Sequence, residues 1–126
     1  MANWQEDSKA IAVLNDEARK GVLSVLMGKA HGGSSSAKLM FTRGIQEMTA
    51  NPANIPGLLS IVASFNSFNR DNDPYGERDF FSFDWKGEKC FCKIDYYNND
   101  LTLGSEDPSN RSITTRVITI MLASEY

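Results

Sequence analysis

Two strand-like runs flank the pair Lys86-Gly87, and they constrain the fold more than any other feature of the chain. They are Phe80-Phe81-Ser82-Phe83-Asp84-Trp85 and Glu88-Lys89-Cys90-Phe91-Cys92-Lys93-Ile94-Asp95-Tyr96-Tyr97. A two-residue turn, with Gly87 supplying positive φ, predicts a hairpin. It pairs Trp85 with Glu88, Phe83 with Cys90 and Phe81 with Cys92. Ile94 and Tyr96 continue that face, which is apolar and must be covered. The opposite face sets Asp84 against Lys89 and Arg78 against Asp95, pairs worth about 0.2–1 kcal/mol each. Glu77 falls opposite Tyr96. A slip of one residue would ruin both faces together, so the register is specified.

Helices supply the cover. Ile11, Leu14, Ala18, Val22 and Val25 recur at helical spacing and predict a helix over 8–27, with Asp7 or Ser8 capping its start and Gly28 its end. Gly21 costs about 1 kcal/mol there relative to alanine and marks a potential break. Leu58, Ile61, Val62, Phe65 and Phe68 predict a second helix over 56–68, with Pro56 in its first turn. Lys38–Thr42 reads as a short strand ended by a turn at Arg43-Gly44, after a flexible Gly/Ser connector at 28–37. Segment 112–125 is ambiguous: its β-branched residues favour a strand, while its length and the preceding Asp107-Pro108 favour a helix. The reading leans to a helix buried through Ile113, Val117, Ile118, Ile120, Met121 and Leu122. The expectation is an α+β fold in one domain, 1–126: a small antiparallel sheet built on an aromatic hairpin at about 78–97, packed against two or three helices.

Several function classes are disfavoured. A net charge of −3 with no basic block argues against nucleic acid as partner. No apolar run approaches the roughly twenty residues of a membrane span, and residues 1–7 lack the pattern of a secretory signal, so a cytoplasmic protein is expected. Cys90 and Cys92 lie two apart on one strand face and read as core residues, not as a disulfide or zinc site. The single histidine, His31, sits in the connector, where nothing fixes an imidazole for catalysis. Asp71-Asn72-Asp73-Pro74-Tyr75-Gly76 resembles a calcium loop only at Asp71, Asp73 and Gly76, and Ser82 stands where the bidentate carboxylate belongs. No metal or cofactor is expected.

Two constellations remain. Glu77, Arg78 and Asp95, joined by Arg116 if the last segment reaches them, would form a polar pocket with a carboxylate base and an anion clamp. The plainer reading is a surface ion pair worth about 0–1 kcal/mol. Phe80, Phe91 and Tyr97, interleaved with Lys89 and Lys93, would form the outer hairpin face, composed as protein-binding surfaces are. The plainer reading is that another helix covers it.

The chain resembles a bacterial family known as domain-of-unknown-function family 3768 from about residue 8 onward. Carrying the resemblance are Leu14-Asn15-Asp16, Thr42-Arg43-Gly44, Asn72-Asp73-Pro74-Tyr75-Gly76-Glu77, Lys93-Ile94-Asp95-Tyr96-Tyr97, Gly104-Ser105-Glu106-Asp107-Pro108 and Thr115 through Tyr126. The family pattern carries His where this chain has Arg78, and Trp where it has Cys92. Chemistry that needs a Glu-His-Asp cluster therefore cannot operate here in that form. The resemblance implies a bacterial cytoplasm and often a phage, plasmid or other mobile element. The expected function is a non-enzymatic protein-binding module, an inhibitor of a host defence complex in the manner of anti-CRISPR or anti-restriction proteins. The alternative is an enzyme or small-ligand-binding protein using the Glu77/Arg78/Asp95/Arg116 pocket. An uncovered aromatic face would also suit a homodimer.

Overall fold

The computed structural model describes residues 4–26 and 37–126. In chain order these are α1 (Trp4–Leu26), β1 (Ala37–Phe41), α2 (Arg43–Met48), α3 (Ile55–Ser64), β2 (Phe80–Trp85), β3 (Glu88–Tyr97) and β4 (Thr115–Leu122), with short 3-10 turns between some of them. The fold is α+β: a four-stranded sheet in the order β1-β4-β3-β2 with three helices. The sheet is mixed, because β1 runs parallel to β4 while the other neighbours are antiparallel.

The hairpin has the expected register, with Trp85 opposite Glu88, Phe83 opposite Cys90, Phe81 opposite Cys92 and Asp84 opposite Lys89. Lys86 and Gly87 both have positive φ, 51° and 80°, which is the turn whose twist matches its flanking strands. The inward set Phe81, Phe83, Trp85, Cys90, Cys92 and Ile94 clusters with Ala18 and Val22 of α1, Ile45 of α2, and Leu58, Leu59 and Val62 of α3.

Segment 112–125 corrects the helical expectation, since Thr115–Leu122 is a strand. It lies between β1 and β3. Arg116, Ile118 and Ile120 are buried on its inward side, and Thr115, Val117 and Met121 are buried on the other. A central strand buried on both sides loses its alternation and reads as a continuous apolar run, so β-branched propensity was the better guide.

Smaller corrections have local causes. Arg43-Gly44 opens α2 instead of forming a turn that ends the strand. The Glu125 carboxylate accepts from Thr42 Oγ1 (2.6 Å) and from the N–H groups of Gly44 (3.0 Å) and Leu122 (2.9 Å). That clamp ties the C-terminus to the start of α2. Helix α3 stops at Ser64, short of Phe68. Arg19 Nη1 donates to the carbonyls of Val62 and Phe65, both at 2.9 Å, and so serves oxygens left unpaired at the helix end. Phe65 still reaches the core, stacking on Phe81 at 4.1 Å, and Phe68 meets both rings edge-on. Helix α1 begins at Trp4 and runs through Gly21 without a break. The Val25 side chain, the Gly28 cap, His31 and connector positions 28–36 lie outside the described residues.

Candidate functional site

The sheet has two dissimilar faces, and the expected site residues divide between them. On the inward face, Tyr96 of β3 and Arg116 of β4 are register partners beside α1. Arg116 is 1% exposed, and its Nε donates to Asn15 Oδ1 at 2.6 Å and its Nη2 to the Pro108 carbonyl at 2.6 Å. Asn15, fully buried, turns its Nδ2 to the Glu77 carbonyl (2.9 Å) and to the Tyr96 hydroxyl (2.8 Å). Tyr96 in turn donates to Glu77 Oε1 at 2.9 Å. Burial raises the Tyr96 phenol above its ordinary value and lowers the Arg116 guanidinium below its own. Burial, then the neighbouring Glu77, raises the Asp79 carboxyl.

A second polar group adjoins the first. One oxygen of Asp16 takes Arg19 Nη2 at 2.5 Å and the other takes Arg78 Nη1 at 2.9 Å. Arg78 has φ 58°, a conformation costly for a residue with a side chain. Both carboxylate oxygens of Asp73 accept from its backbone N–H, at 3.1 and 3.2 Å. The turn through Asn72–Gly76 thus holds Arg78 in place, with its guanidinium 5.3 Å from the Phe68 ring. These bonds give the resembling segment Asn72–Glu77 a structural purpose.

Of the four expected pocket residues, the structure brings Glu77 and Arg116 together through Asn15 and Tyr96. Arg78 turns to Asp16 rather than across the hairpin to Asp95, which corrects the expected ion pair. The reason is the positive φ at Arg78, which takes it out of the extended run before β2 begins at Phe80. Asp95 stands on the opposite face and pairs with Lys93 at 3.1 Å. Sequence reasoning missed Asn15, Asp16 and Arg19. Asn15 and Asp16 stood there only in the resembling segment Leu14-Asn15-Asp16, and the further signal is that Asn15 and Arg19 interrupt the apolar stripe of α1 with polar groups.

The outward face carries the aromatic set. Phe80 and Phe91 lie 5.0 Å apart, and Tyr126 closes on them at 5.5 and 5.6 Å. The Lys89 ammonium is 5.8 Å from the Phe91 ring. Tyr97 sits further along β3, 36% exposed. Register extends this face across β4, where Met121 is buried and Thr119 half-buried, to Met40 of β1, which is 56% exposed. Tyr126, 76% exposed, and Met40 are additions that sequence reasoning missed. Among the described residues, the helix side chains in the central hydrophobic cluster, Ala18, Val22, Ile45, Leu58, Leu59 and Val62, join the inward set.

Residues 41–125 match the model of the family described as "Protein of unknown function (DUF3768)". The chain belongs to that family. No curated protein and no solved structure matches it significantly. The match takes in the Glu125 clamp, the turn that holds Arg78, Tyr96, Arg116 and the outward face short of Met40 and Tyr126. Helix α1, with Asn15, Asp16 and Arg19, precedes it. Among the described residues no helix is long and apolar enough to cross a membrane.

Proposed function

We propose that this DUF3768 protein is a non-enzymatic protein-binding module that docks a partner on the outward face of its sheet. The observation that carries the reading is the aromatic cluster Phe80–Phe91–Tyr126, outside the cluster that holds the helices. Around it stand Lys89, the Lys93–Asp95 pair and Asp84, giving an apolar centre with a charged rim. Recognition surfaces are organised in that way, with aromatic anchors carrying most of the energy. The inward polar groups support the same reading from the other side. Arg116 is buried and bonded to Asn15 and Pro108, and Asp95 faces away, so the four pocket residues do not converge on one substrate.

The proposed partner is a cytoplasmic protein of a bacterial host, and within that class a defence complex of the kind anti-CRISPR or anti-restriction proteins block. That narrower assignment rests on small size, net acidity and the setting that the resemblance implies. The test is capture of partners from host lysate by the tagged protein, beside the Phe91→Ala/Tyr97→Ala variant. One stoichiometric partner captured by the parent and lost from the folded variant is the expected result. Equal capture by both would place the interface elsewhere. A shift of the parent alone to twice the monomer mass in light scattering would make the partner a second copy of this chain.

A further inference from the structure

We propose that a cavity between α1, the end of α3 and Arg78 binds a small oxyanion, a phosphate or carboxylate group. The cavity has a volume of about 250 Å³, and its lining includes Asp16, Arg19, Lys20, Ser64, Asn66 and Arg78. Among the described residues, three cations there face a single carboxylate, in a chain whose net charge is −3. Asp16 is already divided between Arg19 and Arg78, one oxygen to each, so it offsets only part of their charge. The remaining positive charge is concentrated where the wall is partly buried and screening is weak.

The donors left over suit an oxyanion. Arg78 gives one Nη1 bond to Asp16, and among the described residues its Nε and Nη2 make no hydrogen bond. Its side chain is 41% exposed, so those groups are open to a ligand. Lys20 is exposed on the same wall. Arg19 is 1% exposed, and among the described residues its Nε has no hydrogen-bond partner. Buried guanidinium donors are rarely left so, and an anion in the cavity would balance that charge without having to touch the atom. Ser64 Oγ donates to the Ser60 carbonyl. The carbonyls at the end of α3 would oppose an anion, yet those of Val62 and Phe65 are both turned onto Arg19 Nη1.

Arg78 is also fixed in advance. Its positive φ, the Asp73 carboxylate on its N–H and the Phe68 ring beneath it all limit where the guanidinium can go. Residues held in sparsely populated backbone regions cluster where ligands are gripped. A pre-set guanidinium loses little freedom on binding, and its planar fork matches the edge of a carboxylate or phosphate.

The test is titration of the full chain with inorganic phosphate, and separately with acetate, at constant ionic strength. Binding is read from the Nε–H resonances of Arg19 and Arg78. A saturable shift of those resonances is expected, with affinity weakened about tenfold or more in Lys20→Gln and in Arg78→Gln, the loss of roughly one charged contact. Lys9→Gln, on the same helix but outside the cavity lining, leaves it unchanged. Preference for phosphate makes the ligand a phosphate ester, and preference for acetate makes it a carboxylate. Absence of a saturable shift with both probes, or equal affinity in folded Lys20→Gln, overturns the proposal.

Discussion

Replacing Asn15 by alanine should be the most damaging single truncation of a polar side chain on α1, and its cost can be built from the bonds it makes. The amide orientation is forced, because Arg116 only donates and the Glu77 carbonyl only accepts. Oδ1 therefore faces the guanidinium, and Nδ2 serves Glu77 and Tyr96. Alanine removes one charge-assisted bond at 2.6 Å, worth about 1.5–3 kcal/mol, and two neutral ones of about 0.5–1.5 kcal/mol each. It also leaves Arg116, 1% exposed, with a buried unpaired donor. Together these losses come to about 3–5 kcal/mol. That is a large part of the 5–15 kcal/mol that holds a typical domain together.

The comparison that isolates the network is Tyr96→Phe, expected to cost about 1–2 kcal/mol because Glu77 is only half-buried and can turn to water. Asn15 and Tyr96 share a bond, so the double variant should fall short of the sum of the two by about 1 kcal/mol. Urea unfolding followed by circular dichroism measures all four proteins, provided the denaturant slope stays constant across them. A cost below about 1 kcal/mol for Asn15→Ala, or strict additivity with Tyr96→Phe, would mean the buried network does not act as a unit.

Three further outcomes follow from the geometry. A Cβ built at Gly44 would stand 2.8 Å from Glu125 Oε1 and closer still to the Leu122 side chain, so Gly44→Ala should cost about 1–3 kcal/mol in thermal or urea melts; a neutral result would show that the clamp yields freely. The hydrogen bond from Thr42, then those from Gly44 and Leu122, holds the Glu125 pKa below its ordinary value, so its contribution is present at neutral pH and lost as pH falls through the carboxylate range. Melts of the parent should therefore lose more than those of Glu125→Gln on acidification, and parallel pH profiles would contradict the clamp. Burial pushes the Cys92 thiol up to about 12 and the Cys90 thiol up as well, so neither should react with a disulfide reagent at pH 8 until urea unfolds the chain; prompt reaction of the native protein would place a thiol at the surface.

How far the chain could be read depended on how local the determinants were. The hairpin register rests on a two-residue turn and on cross-strand chemistry within a few residues, and it stands as read. Strand β4 resisted because burial on both sides erases the period that distinguishes strand from helix. The polar network resisted for a different reason. Asn15 meets Glu77 across 62 positions and Arg116 across 101, so each looked like an isolated polar residue. Asn15 and Arg19 on the apolar stripe of α1 were legible as anomalies, but their partners were not. The aromatic face was legible on the hairpin alone. Its continuation through Met121 to Met40 depends on β4 being a strand, which the sequence left open.

That continuation makes the extent of the docking surface testable. Had segment 112–125 been a helix, the outward face would consist of two strands and end at Phe91. With β4 between β3 and β1, Phe91 is followed across the sheet by Met121 in register, and Thr119 of β4 is followed by Met40. Met40 is 56% exposed on an edge strand, and its neighbour Lys38 already carries a charge there. A charge at position 40 should therefore alter stability by no more than about 0.5 kcal/mol. Within a docked interface the same charge would have to be desolvated against an apolar centre, a penalty that weakens binding tenfold or more. Met40→Lys should accordingly fold like the parent and bind the partner at least about tenfold more weakly, by titration calorimetry against the captured partner. Unchanged affinity in the folded variant would confine the interface to the hairpin, and β1 would then serve only to complete the sheet.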